Sequence, residues 1–345
     1  MQNKAFYMTQ TNHMELREIP VPEPGNKRVL IKMEYVGICG SDSHYYEHGS
    51  IGSFVVKGDF ILGHECAGTV VGVGEGVTNL KIGDRVALEP GITCGQCYYC
   101  KTGKYNLCPD VEFLATPPYD GCLMQYMTFP ENMCFKLPEN VSTKEGALVE
   151  PLAVGMHAAN QGNVGVGDAV VILGAGCIGL MTLLSAKAHG AGKVIVTDVL
   201  DKRLAVAKKL GADIVVNAAE QDVFEIARAL NGGEGPDVVF ETAGSDKTIA
   251  QAPYLVRRGG RIVLVGLAGK DVIPFDFSQI MAKEAGIASV FRYRNIYPSA
   301  IAAIAAGKID VSGIVSHEFD FENTPEAFDY ASRHKSDVIK AVIKL

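Results

Sequence analysis

The sequence AVVILGAGCIG, residues 169–179, passes from five consecutive apolar residues to a pattern of spaced glycines. Such a short apolar run predicts a strand buried in a parallel sheet, and the residues Leu180 to His189 that follow it are helix-like. Between them, Gly174-x-Gly176-x-x-Gly179 has the spacing of a dinucleotide-binding turn. In that turn the first glycine permits the tight bend, the second lets the backbone approach a pyrophosphate, and the third allows close packing of the helix on the strand.

An acidic residue ends the next predicted strand. Lys193 to Thr197 leads to Asp198, which lies 19 positions after Gly179. A carboxylate here can accept hydrogen bonds from an adenosine ribose and would repel a 2′-phosphate, so it favours NAD over NADP. Arg203 leaves NADP open, because a nearby guanidinium could pair with that phosphate. The alternative interpretation is a glycine-rich turn in an ordinary parallel sheet.

Two kinds of periodicity divide the chain. Beyond Asp198, predicted strands and helices alternate, at residues 213–216, 223–230, 237–240, 247–256 and 261–265. This alternation predicts an α/β fold with a Rossmann-type, doubly wound parallel sheet. The first third instead contains short β-branched runs separated by Gly- and Pro-rich turns, which predicts a barrel-like β domain. The last apolar run, residues 338–343, predicts a final strand that rejoins this β domain.

Composition excludes several classes of partner. The chain of 345 residues is 48% hydrophobic and 21% charged, with 32 Lys and Arg against 39 Asp and Glu, a formal charge of -7. No basic stripe is present, so neither nucleic acid nor an anionic membrane surface is an expected partner. The uncharged residues 169–186 approach the length of a membrane span, but their glycines favour strand, turn and helix. Nine cysteines without an apolar leader sequence favour metal binding or free thiols in a reducing compartment, which we expect to be the cytoplasm.

A candidate catalytic zinc site lies in the β-rich part. Cys39 follows a predicted strand, and His64-Glu65 precedes another. Thiolate, imidazole and carboxylate are all zinc ligands, and a catalytic site uses three protein ligands and keeps a fourth position open. Glu150, a carboxylate in an apolar run, competes with Glu65 for the third place, since a buried carboxylate is costly unless it is paired or binds a metal. The alternative for the first two residues is a buried thiol and a core histidine.

A second candidate site is Cys94-x2-Cys97-x2-Cys100-x7-Cys108. Four thiols this close can enclose one ion tetrahedrally, and a closed four-thiolate shell is a structural zinc site because no position remains for substrate. A redox CxxC pair needs only two of these thiols, and iron–sulfur clusters usually have other spacings. The remaining cysteines, which stand singly among apolar residues, are interpreted as packing residues: Cys66, Cys122, Cys134 and Cys177.

Together these motifs resemble those of the zinc-dependent medium-chain dehydrogenases, and within them the sorbitol (polyol) dehydrogenases. The general part of the resemblance is Gly63-His64-Glu65, the four-cysteine lobe and the glycine turn. Its narrower part lies in residues 39–45, 51–57, 115–118, 150–152 and 290–293. The resemblance covers essentially the whole chain. It implies a GroES-like catalytic domain at residues 1–153 and 290–345, with the zinc lobe near 90–110, and a Rossmann domain at 154–289.

The resemblance also implies roles for individual residues. The catalytic zinc would be held by Cys39, His64 and Glu65 with Glu150 close by, and the structural zinc by the four lobe cysteines. Proton transfer would use Ser41, His44 and Glu150. Substrate contacts would come from Tyr45, Phe113, Glu150, Arg292 and Tyr293. Cofactor contacts would come from Gly174, Gly176, Ile178, Gly179, Asp198, Arg203, Val265, Gly266, Val290, Phe291 and Arg292. From spacing alone, Phe291 and Tyr293 fit a core position as well as a ligand site.

The expected activity is hydride transfer from a secondary hydroxyl of a sorbitol- or xylitol-type polyol to NAD, with zinc as Lewis acid, giving the ketose. The expected assembly, by resemblance, is a homotetramer with one catalytic and one structural zinc in each chain. Three alternatives remain. They are a zinc dehydrogenase of another diol, sugar alcohol or amino alcohol, a zinc-free reductase of the same fold, and a non-catalytic protein that binds zinc and nucleotide.

Overall fold

A computed structural model describes residues 2–270 and 272–345. The strands are β1 (Asn3–Gln10), β2 (His13–Ile19), β3 (Arg28–Ile38), β4 (Ser50–Ile51), β5 (Phe54–Val55), β6 (Glu65–Val73), β7 (Arg85–Leu88), β8 (Gly91–Ile92), β9 (Glu112–Phe113), β10 (Tyr126–Pro130), β11 (Cys134–Lys136), β12 (Ala169–Leu173), β13 (Lys193–Asp198), β14 (Ile214–Asn217), β15 (Val238–Glu241), β16 (Arg261–Leu264), β17 (Gly286–Ser289), β18 (His317–Asp320) and β19 (Ala341–Lys344). The helices are α1 (Gly40–His48), α2 (Tyr98–Lys101), α3 (Thr143–Ala147), α4 (Val149–Gly162), α5 (Cys177–Ala188), α6 (Asp201–Lys209), α7 (Val223–Arg228), α8 (Asp246–Leu255), α9 (Phe277–Lys283), α10 (Tyr297–Ala305) and α11 (Thr324–Arg333).

The chain folds into two compact units. The first contains the residues up to Glu150 together with Tyr297–Ala305 and Val315–Leu345, and the second contains Pro151–Ile296 and Ala306–Ile314. Residues 151–153, 290–296 and 306–314 therefore pack with the second unit. From the sequence, all three ranges were expected in the catalytic domain, at residues 1–153 and 290–345.

The first unit is built on a seven-stranded sheet with the order β11-β7-β6-β3-β19-β18, in which β10 also pairs with β3. The predicted alternation in β3 is confirmed at Val29, Ile31 and Met33, which are fully buried. It does not extend to Tyr35, which is only partly buried. The pairing with β6 shifts its register between Met33 and Tyr35, so Val36 takes the next core position. The predicted final strand is confirmed, since β19 pairs with β3.

The second unit contains a six-stranded sheet with the order β14-β13-β12-β15-β16-β17, and all its pairs are parallel. The five residues of β12 are buried, as expected for a central parallel strand covered on both faces. This architecture confirms the predicted doubly wound α/β fold. The uncharged segment 169–186 is β12, a turn and most of α5. None of the helices in the described part of the chain has the length and apolarity that crossing a bilayer would require.

Candidate metal and dinucleotide-binding sites

The first candidate site lies where β3 ends and β6 begins, because neighbouring strands present their loops together. Cys39 is the N-cap residue of α1, and His64 precedes β6. The thiol, imidazole and carboxylate of Cys39, His64 and Glu65 supply donor atoms that all lie within 4.8 Å of one another. This combination of donors suits zinc. Glu150 is buried in the first turn of α4 and does not belong to this three-residue group.

A buried carboxylate that the sequence reasoning missed, Asp42, organises this site. It accepts hydrogen bonds from the backbone N–H groups of Cys39 at 3.0 Å and Gly63 at 3.1 Å, so it ties the two ligand-bearing loops together. Its Oδ1 also lies 3.3 Å from His64 Nδ1. A histidine that ligates a metal commonly gives its other ring nitrogen to a carboxylate, which fixes the ring. The available signal was the position of Asp42 three residues after the N-cap, where acidic residues close a capping box.

The charges around His64 are unusual for a buried imidazole. Burial alone would lower the pKa of His64, but the neighbouring Asp42 carboxylate outweighs burial and holds that pKa well above its ordinary value. Burial likewise opposes ionisation of Asp42, while His64 and the two backbone N–H groups hold the pKa of Asp42 below its ordinary value. The Phe113 ring covers the imidazole, with 5.7 Å between ring centroids. The site therefore places charged groups next to an aromatic ring.

The predicted proton-transfer and substrate residues are distributed over both units. Ser41, His44 and Tyr45 lie on α1, where Ser41 is partly buried, His44 is exposed and Tyr45 is buried. Phe113 ends β9 and belongs to the first unit, as does Glu150. Arg292 and Tyr293 belong to the second unit.

The segment after β17 has an irregular backbone. Tyr293 is buried, and Arg292 has a positive φ of 55° with its guanidinium 5.0 Å from the centroid of the Phe291 ring. Positive φ is uncommon outside glycine and marks a locally constrained backbone. The core alternative therefore holds for Tyr293 but not for Phe291, which is 52% exposed.

A second buried carboxylate missed by the sequence reasoning is Glu89. It follows β7, and Tyr105 Oη donates a hydrogen bond of 2.7 Å to it. Burial raises the pKa of Glu89 to about 7; the Tyr105 hydrogen bond opposes this rise and the charge of Glu150 adds to it. The criterion that selected Glu150, a carboxylate among apolar residues, would have selected Glu89 too.

The four-cysteine lobe forms the second metal-ligand group. The sulfur atoms of Cys94, Cys97, Cys100 and Cys108 lie within 4.8 Å of one another. Gly95 and Gly103 bend the loop with positive φ values of 69° and 73°. Backbone N–H groups of Gln96 and Cys97 lower the pKa of Cys94 to about 7, whereas burial raises the pKa of Cys108 to about 12. A group of four converging thiols matches a closed structural zinc site.

The glycine turn between β12 and α5 has the required close approaches. Gly174 has a φ of 107°, and a Cβ on Gly179 would lie 1.9 Å from the carbonyl oxygen of Gly174. Around Gly176, the N-cap of α5, a Cβ would meet only Arg203 Nη1 at 3.9 Å, so the space before the helix is open to an anion. Cys177 begins α5 and is partly buried, whereas the other three cysteines interpreted as packing residues, Cys66, Cys122 and Cys134, are buried.

Asp198 ends β13 and supports the same turn. Its carboxylate accepts hydrogen bonds from the backbone N–H groups of Ala175 at 2.8 Å, Val199 at 2.8 Å and Leu200 at 3.0 Å. An ionised carboxylate has about four acceptor positions, so these bonds leave capacity for a ribose hydroxyl. The remaining predicted cofactor residues lie in α5, in α6 and at the ends of β16 and β17, namely Ile178, Arg203, Val265, Gly266, Val290 and Phe291. The carboxyl ends of parallel strands are the binding edge of such sheets.

Comparison with known proteins identifies the chain's relatives. Residues 25–139 match the alcohol dehydrogenase GroES-like domain family, and residues 177–306 match the zinc-binding dehydrogenase family. The chain is 49% identical to the uncharacterized zinc-type alcohol dehydrogenase-like protein YdjJ of Escherichia coli, with coverage of 100% of this chain and 99% of that protein. It is 44% identical to the sorbitol dehydrogenase of Bacillus subtilis, with 99% and 96% coverage.

A solved structure extends the comparison to the fold. An Escherichia coli oxidoreductase/dehydrogenase of unknown specificity superposes with a TM-score of 0.96 at 48% identity, covering 100% of this chain and 99% of that one. The two domain matches, the full-length identities and this superposition agree with the metal-ligand groups and the dinucleotide turn. The chain therefore belongs to the zinc-dependent medium-chain dehydrogenases, and within them it is sorbitol-dehydrogenase-like.

Proposed function

We propose that this protein oxidises a secondary hydroxyl of a sorbitol- or xylitol-type polyol to the ketose and transfers the hydride to NAD. The observation that carries the proposal is the convergence of Cys39, His64 and Glu65 within 4.8 Å in a sorbitol-dehydrogenase-like chain. These three residues would hold the catalytic zinc, with Glu150 as the competing third ligand, and the four lobe cysteines would hold a structural zinc. When bound, zinc polarises the alcohol oxygen as a Lewis acid and NAD accepts the hydride.

The chain's own side chains would carry the proton. Ser41 and His44 are three positions apart on α1 and so share one face of that helix. We assign Ser41 Oγ to accept the proton of the substrate hydroxyl as it releases its own to the His44 imidazole, and the exposed His44 to pass that proton on to water. Desolvation and the neighbouring His48 lower the pKa of His44, which favours the neutral ring that can accept a proton. Glu150 is the alternative acceptor.

Substrate recognition and the remaining assignments rest on the family resemblance. Hydroxyl groups of the polyol would contact Tyr45, Phe113, Glu150, Arg292 and Tyr293. NAD would use the glycine turn, with Asp198 on the ribose, because a carboxylate disfavours the 2′-phosphate of NADP. We further propose the homotetramer, the cytoplasmic location and the division into a catalytic and a dinucleotide-binding domain.

A substrate panel tests the activity. kcat/KM is measured with sorbitol, xylitol, a vicinal diol and a threonine-like amino alcohol, each with NAD and with NADP. We expect the highest value for a polyol with NAD. A higher value for the amino alcohol would favour the competing dehydrogenase, and no turnover of any alcohol by protein that binds zinc and NAD would favour a non-catalytic protein.

A variant tests the metal assignment. Cys39→Ser should abolish turnover and remove one zinc per chain while NAD binding persists, measured by elemental analysis and by nucleotide titration. The matched control is Cys134→Ser, a buried cysteine whose Sγ contacts the Pro130 carbonyl oxygen at 3.3 Å. The control should keep both zinc ions and full activity. Turnover by zinc-free Cys39→Ser would contradict the proposal.

A further inference from the structure

A buried lysine, Lys340, forms an ion pair with the carboxylate of Glu65. Lys340 directly precedes β19 and is 3% exposed, while Glu65 is 1% exposed. Lys340 Nζ donates to both carboxylate oxygens of Glu65 at 2.7 Å and to the carbonyl oxygen of Ile38 at 3.0 Å. Lysine is almost never fully buried unless it is paired. The ion pair is therefore a specific feature of this site, and none of the roles assigned above uses Lys340.

A glycine in β3, Gly37, leaves space for this ion pair. Glu65 begins β6 and Lys340 precedes β19, and these two strands flank β3 on opposite sides. At the crossing, Gly37 of β3 pairs with Glu65 on one side and Val342 on the other. A Cβ on Gly37 would lie 2.1 Å from Glu65 Oε2, so a larger residue would displace the carboxylate. The glycine lets Glu65 extend across β3 to the lysine.

We propose that Lys340 is a positioning residue that competes with the catalytic metal for Glu65 and keeps this third ligand exchangeable. This inference rests on the proposed role of Glu65 as a zinc ligand. A carboxylate whose two oxygens already receive an ammonium group is a weaker ligand than an unpaired one. A dication bound at Glu65 would also be repelled by the positive charge of Lys340, since Coulomb interactions over a few ångströms are strong away from bulk water.

The competition has two consequences. In the metal-free protein, Lys340 neutralises a carboxylate that would otherwise be a costly unpaired buried charge. In the metal-loaded protein, Glu65 has a second partner to which it can return when it leaves the metal. Lys340 therefore weakens metal binding at this position while it stabilises the metal-free state.

The test uses Lys340→Met with Lys344→Met as the matched control, because Lys344 is an exposed lysine four positions later, at the end of β19. Zinc affinity is measured on the full-length protein by titration against a competing chelator, and Cys39→Ser identifies which binding step belongs to the candidate catalytic site. We expect Lys340→Met to bind that zinc about 10-fold more tightly or better, on the scale of other effects next to metal ligands. Its metal-free form should melt at a lower temperature, and Lys344→Met should match the wild type in both measurements.

Further variants distinguish a failure of this inference from a failure of the Glu65 ligand assignment. Lys340→Arg keeps the buried charge and should bind zinc like the wild type, and Lys340→Gln replaces Lys340→Met if the latter does not fold. In a Glu65→Gln background, Lys340→Met should tighten zinc binding less than it does in the wild-type background, because only the direct repulsion between Lys340 and the dication is then relieved. Unchanged or weaker binding in folded Lys340→Met would overturn this inference, even if Glu65→Gln shows that Glu65 is a ligand. Unchanged binding in Glu65→Gln would instead reject the ligand assignment itself.

Discussion

Replacing Glu89 by Gln should stabilise the protein at neutral and alkaline pH. Burial raises the pKa of Glu89 to about 7 in the folded protein, from a reference value of 4.5. The folded state therefore binds this proton more tightly than the unfolded chain does. The stabilisation that results from this tighter proton binding is fully present below about pH 4.5 and is lost as the pH rises through about 7. The difference of roughly 2.5 pKa units corresponds to about 3 kcal/mol, since one unit is about 1.4 kcal/mol.

The Glu89→Gln side chain keeps an oxygen for the Tyr105 hydroxyl but carries no charge, so it should remove this pH-dependent loss. The free energy of unfolding is measured by urea denaturation of the zinc-loaded protein at several pH values between 5 and 8.5. We expect Glu89→Gln to exceed the wild type by up to about 3 kcal/mol at the alkaline end, with the difference shrinking toward pH 5. The exposed Glu139→Gln serves as the control and should follow the wild-type curve.

Parallel curves for Glu89→Gln and the wild type across this range would refute the reasoning, because they would show that Glu89 does not titrate between the two states. A second variant gives an independent check. Tyr105→Phe removes the hydrogen bond that opposes the rise of the Glu89 pKa. The pH at which stability falls should therefore move upward in Tyr105→Phe.

Three further predictions concern the lobe, the cofactor and the core. Cys97→Ser should lose the lobe zinc and lower the melting temperature while the other zinc stays, as elemental analysis and calorimetry would show; two retained zinc ions would contradict the lobe assignment. Asp198→Ala should reduce the preference for NAD over NADP by about 10-fold in kcat/KM, because it removes the proposed hydrogen bond from the ribose hydroxyl to the carboxylate and the repulsion of a 2′-phosphate. An unchanged ratio of the two kcat/KM values would show that Asp198 does not select between NAD and NADP. Phe328→Ala should cost about 3–5 kcal/mol in urea denaturation, since Phe328 is fully buried with its ring centroid 5.4 Å from that of Tyr46; a smaller loss would mean that the core closes around the cavity.

The second unit could be predicted from sequence because its signals are local. The apolar run of β12, the glycine spacing and the start of α5 fall within 20 residues of one another. Each step follows from backbone chemistry at that place: a buried parallel strand, a tight turn that needs glycine, and a helix N-terminus. The first unit was predicted less well, since the register shift after Met33 depends on which strand lies alongside β3.

The candidate metal site shows most clearly how contacts between distant segments escape prediction from sequence. Glu65, Glu89 and Glu150 are all carboxylates in apolar surroundings, so the criterion of an expensive buried charge cannot rank them. Their partners distinguish them: Tyr105 donates to Glu89, whereas Lys340 donates to Glu65 from 275 positions away along the chain. The contact exists only because β19 returns beside β3 and Gly37 leaves room for the carboxylate to cross. Which of these carboxylates pairs with the buried lysine is therefore decided by sheet topology, and a sequence interpreted segment by segment contains no signal for it.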